Sequence, residues 1–283
     1  MSGSVRAAVV QMDITINDIP KNTARVLQSL RTAAAQGAKL VVFPEACLGG
    51  YCFSSAEEAS SACLEFADPI LQRTLPNAAA ELGVAVVIGF LERGDDCIHN
   101  SAALLSEDGS VQIYRKTHLP RLGVDRFVQP GAELGSLMET TFGRVGCLIC
   151  YDVRFPEAAR AVGLAGAHIL ALPTNWPEGA ETAPEFITRS RAWESRMWVL
   201  AANRVGVERG RRFIGRSQIV SPAGHIVCEA GSEEETILYH DLDLSPAEQK
   251  RIVIEPGEWE LDITGDRRPE LYEALTRKSE ECR

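Results

Sequence analysis

The sequence predicts a mixed α/β fold built as one continuous domain. Three observations lead there: short, wholly apolar runs of the kind that form strands buried on both faces, segments with apolar residues at helical spacing that alternate with those runs, and no low-complexity segment or linker before about residue 255. Strands buried on both faces need helices to cover the sheets, so helices are expected on the outside.

The elements follow in order. Val5 to Met12 reads as a buried strand. Asn22 to Gln36 carries Val26, Leu27, Leu30, Ala33 and Ala34 at helical spacing, with Gly37 placed to end the helix. Leu40 to Phe43 is a second strand, Ile70 to Leu82 a helix stopped at Gly83, and Val84 to Phe90 a third strand. Turns at Arg93-Gly94-Asp95-Asp96 and Glu107-Asp108-Gly109 bracket strands at His99 to Leu105 and Val111 to Lys116. Val145 to Cys150 reads as an apolar strand, and Pro156 opens a helix at a position that suits proline. Strands are expected at His168 to Leu172 and Trp198 to Asn203, with a helix at Pro184 to Arg196 between them. A late hairpin joins Ile214 to Ser221 and His225 to Ala230, and Thr236 to Leu242 is the last strand. The domain is therefore placed at residues 1–255. Residues 256–283, polar and punctuated by Pro256, Gly257 and Pro269, read as a tail on the surface or on a neighbouring subunit.

Composition narrows the function. The chain has 283 residues, 45% of them hydrophobic, with a formal net charge of −10. Such an acidic chain is a poor match for a phosphate backbone, so no nucleic-acid partner is expected. No apolar run approaches the ~20 residues of a membrane helix, and Met1 to Arg6 lacks a signal-peptide pattern. No membrane partner is expected, and the expected location is cytoplasmic. The eight cysteines (Cys47, Cys52, Cys63, Cys97, Cys147, Cys150, Cys228 and Cys282) are irregularly spaced in a long chain and read mostly as small buried hydrophobes rather than a disulfide framework.

Three reactive side chains sit where buried strands stop. Glu45 follows Leu40-Val41-Val42-Phe43-Pro44, Lys116 follows Val111-Gln112-Ile113-Tyr114-Arg115, and Cys150 closes Val145-Gly146-Cys147-Leu148-Ile149. Strand ends in α/β sheets are where sites collect. Singly, each has a plainer reading: a solvated loop glutamate, an edge-protecting lysine, an inert buried cysteine. Together they suffice for amide hydrolysis without metal or cofactor. The thiol is the nucleophile, the carboxylate takes its proton, and the ammonium steadies both thiolate and oxyanion.

The chain resembles the nitrilase superfamily of carbon–nitrogen hydrolases over roughly residues 5 to 245. Val42-Phe43-Pro44-Glu45, Tyr114-Arg115-Lys116-Thr117-His118-Leu119 and Gly146-Cys147-Leu148-Ile149-Cys150-Tyr151-Asp152-Val153-Arg154-Phe155-Pro156-Glu157 resemble its glutamate, lysine and nucleophile motifs, in order. Phe213-Ile214-Gly215-Arg216-Ser217 and Ser221-Pro222-Ala223-Gly224 resemble its late strand pair. The resemblance implies an α-β-β-α sandwich that pairs into a homodimer or higher homo-oligomer. It also implies a Glu45, Lys116, Cys150 triad, and a Tyr151 backbone N–H that shares the oxyanion with Lys116. Two departures stand out. Leu119 to Gly131 has no glutamate where the family often carries a second one, leaving Asp125 as the one acid there, and Glu194-Ser195-Arg196 stands where many members have Glu-Asn-Arg.

Rival constellations are weaker. Cys147 and Cys150 form a C-x-x-C, but residues three apart in a strand face opposite ways, and no second pair completes a zinc site. A Cys150–His118–Asn203 arrangement is compatible with strand periodicity, since His118 shares a face with Lys116; otherwise His118 is a supporting or packing residue. Tyr51, Asn175 and Trp176 are candidate pocket residues. Arg154 is a candidate for a substrate carboxylate, with an ion pair to Glu157 or Asp152 as its plainer role. The function expected is hydrolysis of a small primary carboxamide to acid and ammonia through a thioester. An N-carbamoyl hydrolase or nitrilase on the same scaffold, and a non-catalytic binding protein with a relic site, are the alternatives.

Overall fold

The computed structural model describes residues 4–277, so Met1 and Cys282 lie outside it. Among the described residues, twelve strands of three or more residues make up two large sheets. The first contains β1 (Val5–Gln11), β2 (Leu40–Val42), β3 (Ala85–Arg93), β4 (Ile98–Leu105), β5 (Val111–Arg115) and, last in sequence, β12 (Thr236–Leu242), in the order β12-β1-β2-β3-β4-β5. The two-residue strand Leu64–Glu65 adds alongside the end of β3. The second sheet contains β6 (Ser136–Thr140), β7 (Gly143–Cys147), β8 (Ile169–Pro173), β9 (Trp198–Ala202), β10 (Gln218–Val220) and β11 (Ile226–Glu229), in the order β11-β10-β9-β8-β7-β6. Both have the same plan: three parallel strands, β1-β2-β3 and β7-β8-β9, flanked by antiparallel ones.

Alternation along the strands makes the layers. Val5, Ala7, Val9, Leu40, Val42, Ala85, Val87, Ala102 and Leu104 face the second sheet and share a core with Val145, Cys147 and the whole of Ile169 to Leu172. Their neighbours Ala8, Val10, Val41, Val86, Ile88, Ala103 and Leu105 face outward onto helices α1 (Ile19–Ala35) and α2 (Leu75–Leu82) through Val26, Leu30, Ala33, Leu75 and Ala79. Helices α3 (Pro156–Leu164) and α4 (Thr188–Ser195) cover the second sheet with Ala158, Ala159, Val162 and Ala192. The result is an α-β-β-α sandwich. Because both faces of each sheet are covered, the strands read as unbroken apolar runs.

Several boundaries differ from the sequence reading, for local reasons. The Asp18 carboxylate accepts from the Lys21 N–H at 3.2 Å and Pro20 occupies the first turn, so α1 starts three residues before Asn22. Both expected later helices begin as wide π-type turns, at Ile70–Thr74 and Ala183–Ile187, before tightening into α2 and α4. The late hairpin is shorter than expected, since Gly215 and Arg216 both take left-handed conformations and β10 starts only at Gln218. Strand β6 had no apolar signal: it pairs as an edge with β7, and Met138 alone of its five residues is fully buried. The strand expected at Val145 to Cys150 stops at Cys147. Beyond β12, Ile252–Glu255 pairs antiparallel with Trp259–Leu261 across residue 255. No helix among the described residues is long and apolar enough to cross a membrane.

Candidate active site

The site forms where the carboxyl ends of strands from both sheets meet. Glu45 lies three residues past β2. The Phe43 N–H still bonds the Val87 carbonyl at 2.8 Å and the Gly89 N–H the Pro44 carbonyl at 3.2 Å, so this loop is laid flat on β3. A Cβ on Gly89 would sit 2.5 Å from Ala46 N and Pro44 O and 2.6 Å from Glu45 Cα; only glycine permits the approach. Ala46 then turns at φ +47°, which aims Glu45 into the interior. The second sheet fixes the same loop: the Asn175 side-chain amide donates to the Glu45 carbonyl at 2.9 Å, and the Glu45 N–H reaches the Thr174 carbonyl.

Lys116 continues β5 by one residue, its N–H on the Asn100 carbonyl at 2.8 Å. Its ammonium is completely buried and donates to Glu45 Oε1 at 2.7 Å and to Asp125 Oδ2 at 2.6 Å. Asp125 also accepts from the Tyr51 hydroxyl at 2.7 Å. The Asn100 amide bridges the two acids, donating to Glu45 Oε1 at 2.7 Å and Asp125 Oδ1 at 2.8 Å. Asp125 therefore sits directly on the lysine. It gets there through the turn Gly123–Arg126, entered by Gly123 at φ +46°, where a Cβ would lie 2.2 Å from the Tyr51 ring.

Cys150 is half-buried and opens a 3-10 turn, Cys150–Arg154, with φ +44°. A non-glycine residue in the left-handed region is strained, and such strain gathers at functional sites. The turn rests on Asp152. Its carboxylate is fully buried and accepts from the N–H groups of Ile149 (3.0 Å) and His118 (2.9 Å), His118 Nδ1 (2.8 Å), Thr117 Oγ1 (3.0 Å) and the Tyr114 hydroxyl (2.8 Å).

Electrostatics follow from burial. Burial pushes the Glu45 carboxyl up, and nearby Asp125 adds to this against the pull of Lys116. Burial opposes the Lys116 charge, but Asp125 and Glu45 overcome it and hold the ammonium well above the usual lysine range. The Cys150 thiol is pushed well up by burial and by the Glu45 charge, against Lys116 and the Asn175 backbone N–H, which favour thiolate. At rest the cluster therefore holds a neutral Cys150 thiol and a charged Lys116 ammonium bonded to both Glu45 and Asp125.

The remaining sequence candidates fall into place around this cluster. Tyr51 and Asn175 belong to it. Tyr151 is the residue after Cys150, at the start of the 3-10 turn. Trp176 is buried in the core cluster against which Cys150 packs, and its backbone N–H donates to Asn203 Oδ1 at 2.8 Å. The Cys150–His118–Asn203 arrangement is not assembled. His118 gives Nδ1 to Asp152 and stacks on Phe155 with centroids 3.9 Å apart, while the Asn203 side chain is taken up by Thr174, Trp176 and Gly215. Among the described residues Arg154 pairs with neither Glu157 nor Asp152; the imidazole occupies Asp152 instead. Cys147 is buried in the core and, like Cys150, is a free thiol. Sequence reasoning missed Asn100 and the anchoring role of Asp152. A polar residue inside the apolar stretch Ile98–Leu105 was the available signal for Asn100.

Comparison with known proteins gives the family. The carbon–nitrogen hydrolase family model matches residues 6–252. A nitrilase of Pyrococcus abyssi is 35% identical over 95% of this chain and 99% of its own length. An N-carbamoylputrescine amidase of Solanum lycopersicum is 31% identical over 96% of this chain and 94% of its own. Among solved structures, a mutant of the amidase from Nesterenkonia sp. AN1, showing covalent addition of the acetamide moiety of fluoroacetamide at the active site cysteine, superposes with a TM-score of 0.78. It is 26% identical and covers 96% of this chain and 97% of its own. The sandwich, the ordered motifs and these full-length likenesses lead to one conclusion: the chain belongs to the carbon–nitrogen hydrolase family, within the nitrilase superfamily, and is a cysteine-dependent enzyme of that family.

Proposed function

We propose that the chain hydrolyses a small primary carboxamide to the acid and ammonia, with Cys150 as nucleophile, Glu45 as general base and acid, and Lys116 with the Tyr151 N–H as oxyanion donors. One observation carries this reading. Glu45 Oε1 is occupied by Lys116 and Asn100, whereas Oε2 is buried with no hydrogen-bond partner. A buried unpaired carboxylate oxygen is costly, and the thiol proton of Cys150 would satisfy it.

Charge conservation favours transfer at the moment of attack. With both acids ionised, Glu45, Asp125 and Lys116 sum to one buried negative charge, and a preformed thiolate would raise that to two. Passing the thiol proton to Glu45 as sulfur attacks the carbonyl keeps the total constant and moves the negative charge to the carbonyl oxygen. Lys116 has three N–H donors and spends two on Glu45 and Asp125. The third is left for the oxyanion, with the Tyr151 N–H beside it. Collapse of the tetrahedral adduct breaks the C–N bond, and Glu45 returns its proton to the departing ammonia, leaving a thioester. Water, deprotonated by Glu45, then attacks the thioester; the acid leaves and the thiol is restored.

The test is ammonia release from a panel of amides, N-carbamoyl compounds and nitriles, with mass spectrometry of the trapped acyl-enzyme. Full turnover in Cys150→Ala would end the reading, and carbon dioxide released with ammonia would move it to a carbamoyl hydrolase.

We also propose that the chain self-associates, with the segment after residue 255 taking part. Phe186 and Trp193 near α4, and Ile254, Trp259 and Leu271 in the C-terminal stretch, are large apolar side chains left exposed. Light scattering that gives a monomer mass at micromolar concentration would refute this. The seven free thiols among the described residues fit a reducing, cytoplasmic setting.

A further inference from the structure

A second thiol meets an imidazole away from Cys150. Cys97 closes the turn between β3 and β4, where the Gly94 N–H bonds the Cys97 carbonyl at 2.9 Å. Its Sγ lies 3.3 Å from Nε2 of His99, two residues on along the same face of β4. The His99 ring is buried, and its Nδ1 sits 2.9 Å from the Gln129 carbonyl. A carbonyl only accepts, so Nδ1 carries the proton and the neutral ring turns the lone pair of Nε2 toward the thiol. Glu92 lies opposite His99 in the strand register, its carboxylate held by Arg115 and Ser101. The arrangement is a thiol, a base and an acceptor that fixes the tautomer of the base, the order found around activated nucleophiles. Among the described residues no third ligand completes a metal set.

A cleft of about 420 Å³ reaches this thiol, with Cys97 on its wall. Cys97 is half-buried, so a small reagent can approach the sulfur while His99 stays covered. Gly94 keeps the approach open: a Cβ there would sit 3.1 Å from the sulfur. The charged lining is one-sided. Glu57, Asp95 and Asp96 are exposed acids that form no ion pair among the described residues, and Arg93 is the one base, turned onto the hydroxyl and carbonyl of Ser60. A cation entering the cleft would meet three acids against one arginine.

We propose that Cys97 and His99 form a second reactive thiol site, separate from Cys150, which exchanges with the disulfides of small cationic thiols and carries the thiol as a mixed disulfide. As the Cys97 sulfur bonds to one sulfur of the disulfide, its proton passes to His99 Nε2 and the S–S bond breaks. The departing thiolate takes the proton from His99 and leaves as a free thiol. Cys97 is oxidised to the mixed disulfide, one sulfur of the reagent is reduced, and no other reactant is needed.

The experiment treats the reduced protein with cystamine and follows each cysteine by peptide mass spectrometry, so that Cys97 and Cys150 are read apart. Folding ordinarily shields a half-buried thiol. Cys97 is expected to react about tenfold or more faster in the folded protein than in the urea-unfolded chain, because only the fold holds His99 against it; positioned proton transfer commonly gives ~10²–10⁴. Cys63 and Cys228, which donate to the carbonyls of Ala59 (3.2 Å) and Tyr239 (3.4 Å), should instead be slower when folded. A Cys97 rate no higher in the folded protein overturns the site. In His99→Gln the side-chain amide can still donate to the Gln129 carbonyl but cannot take the thiol proton, so the Cys97 rate should fall about tenfold or more while Cys63 and Cys228 keep theirs. An unchanged Cys97 rate in that variant overturns the pairing; should the variant not fold, the wild-type comparison decides. For the charge preference, cystamine, hydroxyethyl disulfide and dithiodiglycolate are compared, each rate divided by that of the same reagent with free 2-mercaptoethanol. Cystamine should lead and dithiodiglycolate trail, with the spread narrowing as salt is raised and in the exposed-site variant Asp95→Asn/Asp96→Asn. A spread near one, or one that the double variant leaves intact, overturns the cationic class.

Discussion

Asp152, two residues after Cys150, holds His118, two residues after Lys116, by both its backbone N–H and its ring Nδ1. This contact joins the arm that carries the ammonium to the turn that carries the thiol. Tyr114 and Thr117 bond the same carboxylate, so four of its five donors come from the lysine arm and the fifth, the Ile149 N–H, from the entry to the cysteine turn. The stacking of His118 on Phe155 closes the loop on the far side of the turn.

Asp152→Asn should loosen the site without touching the reacting atoms. Losing the charge from a buried set of five donors should cost about 1–3 kcal/mol, read by urea denaturation. Turnover should fall with it, mainly in kcat. Burial raises the Asp152 pKa, but the hydrogen bonds from His118 and Ile149 outweigh it and hold the group below the usual aspartate value. A group depressed in the folded state gives stability that is present above its unfolded pKa and lost as pH falls through the folded one. Wild type should therefore lose stability more steeply than the variant as pH drops below about 4. Parallel acid-denaturation curves would contradict this.

Glu45→Gln removes the proposed base while keeping one oxygen for Lys116 and Asn100. A loss of about 10²–10⁴ in kcat is expected, the range for general acid–base help, with KM little changed. Because Glu45 is raised by burial, the acid limb of the wild-type kcat/KM profile should lie above the ordinary glutamate value, activity rising as Glu45 ionises. A limb at or below the ordinary value would assign the base elsewhere.

Much of this site was legible before any geometry. Glu45, Lys116 and Cys150 stand next to apolar runs, and a strand end is a place sequence can mark. Asp125 was visible but could not be assigned, because the left-handed Gly123 resets the path of the loop and counting residues does not carry through such a turn. Asn100 was hidden inside a stretch that reads as plain strand. Its side chain points to the acids from a position where periodicity asks only for something buried. Cys150 looked like the end of a strand because Leu148 and Ile149 continue the apolar run. The left-handed backbone that lifts the thiol out of the sheet leaves no mark in composition.

Lys116→Met offers a test that separates folding from chemistry. Removing the ammonium strands Glu45 and Asp125 as neighbouring buried acids, both bonded to the one Asn100 amide. Breaking a buried pair in this way costs about 3–5 kcal/mol. Adding Asp125→Asn removes one of the two charges and should restore a good part of that stability in a thermal melt. Turnover should stay lost, since the proposed oxyanion donor is still missing. Recovery of activity along with stability in Lys116→Met/Asp125→Asn would show that the lysine only neutralises the acids.

Gly89→Ala asks whether the close approach of β3 to the glutamate loop matters. The added methyl would meet main-chain atoms of Pro44, Glu45 and Ala46 at 2.5–2.6 Å, and backbone on both sides of the contact cannot swing away as a side-chain tip does. Overpacking of this kind costs about 1–3 kcal/mol. The displaced segment is the one that aims Glu45, while Lys116 and Asp125 approach from other elements, so the damage should fall on proton transfer. Expected are a folded protein with a lowered melting temperature and a fall in kcat larger than the stability loss alone implies. Alkylation of Cys150 by iodoacetamide should slow as well, because in the proposed mechanism the thiol passes its proton to Glu45. Wild-type alkylation and turnover in Gly89→Ala would show that the loop can shift without misplacing its carboxylate.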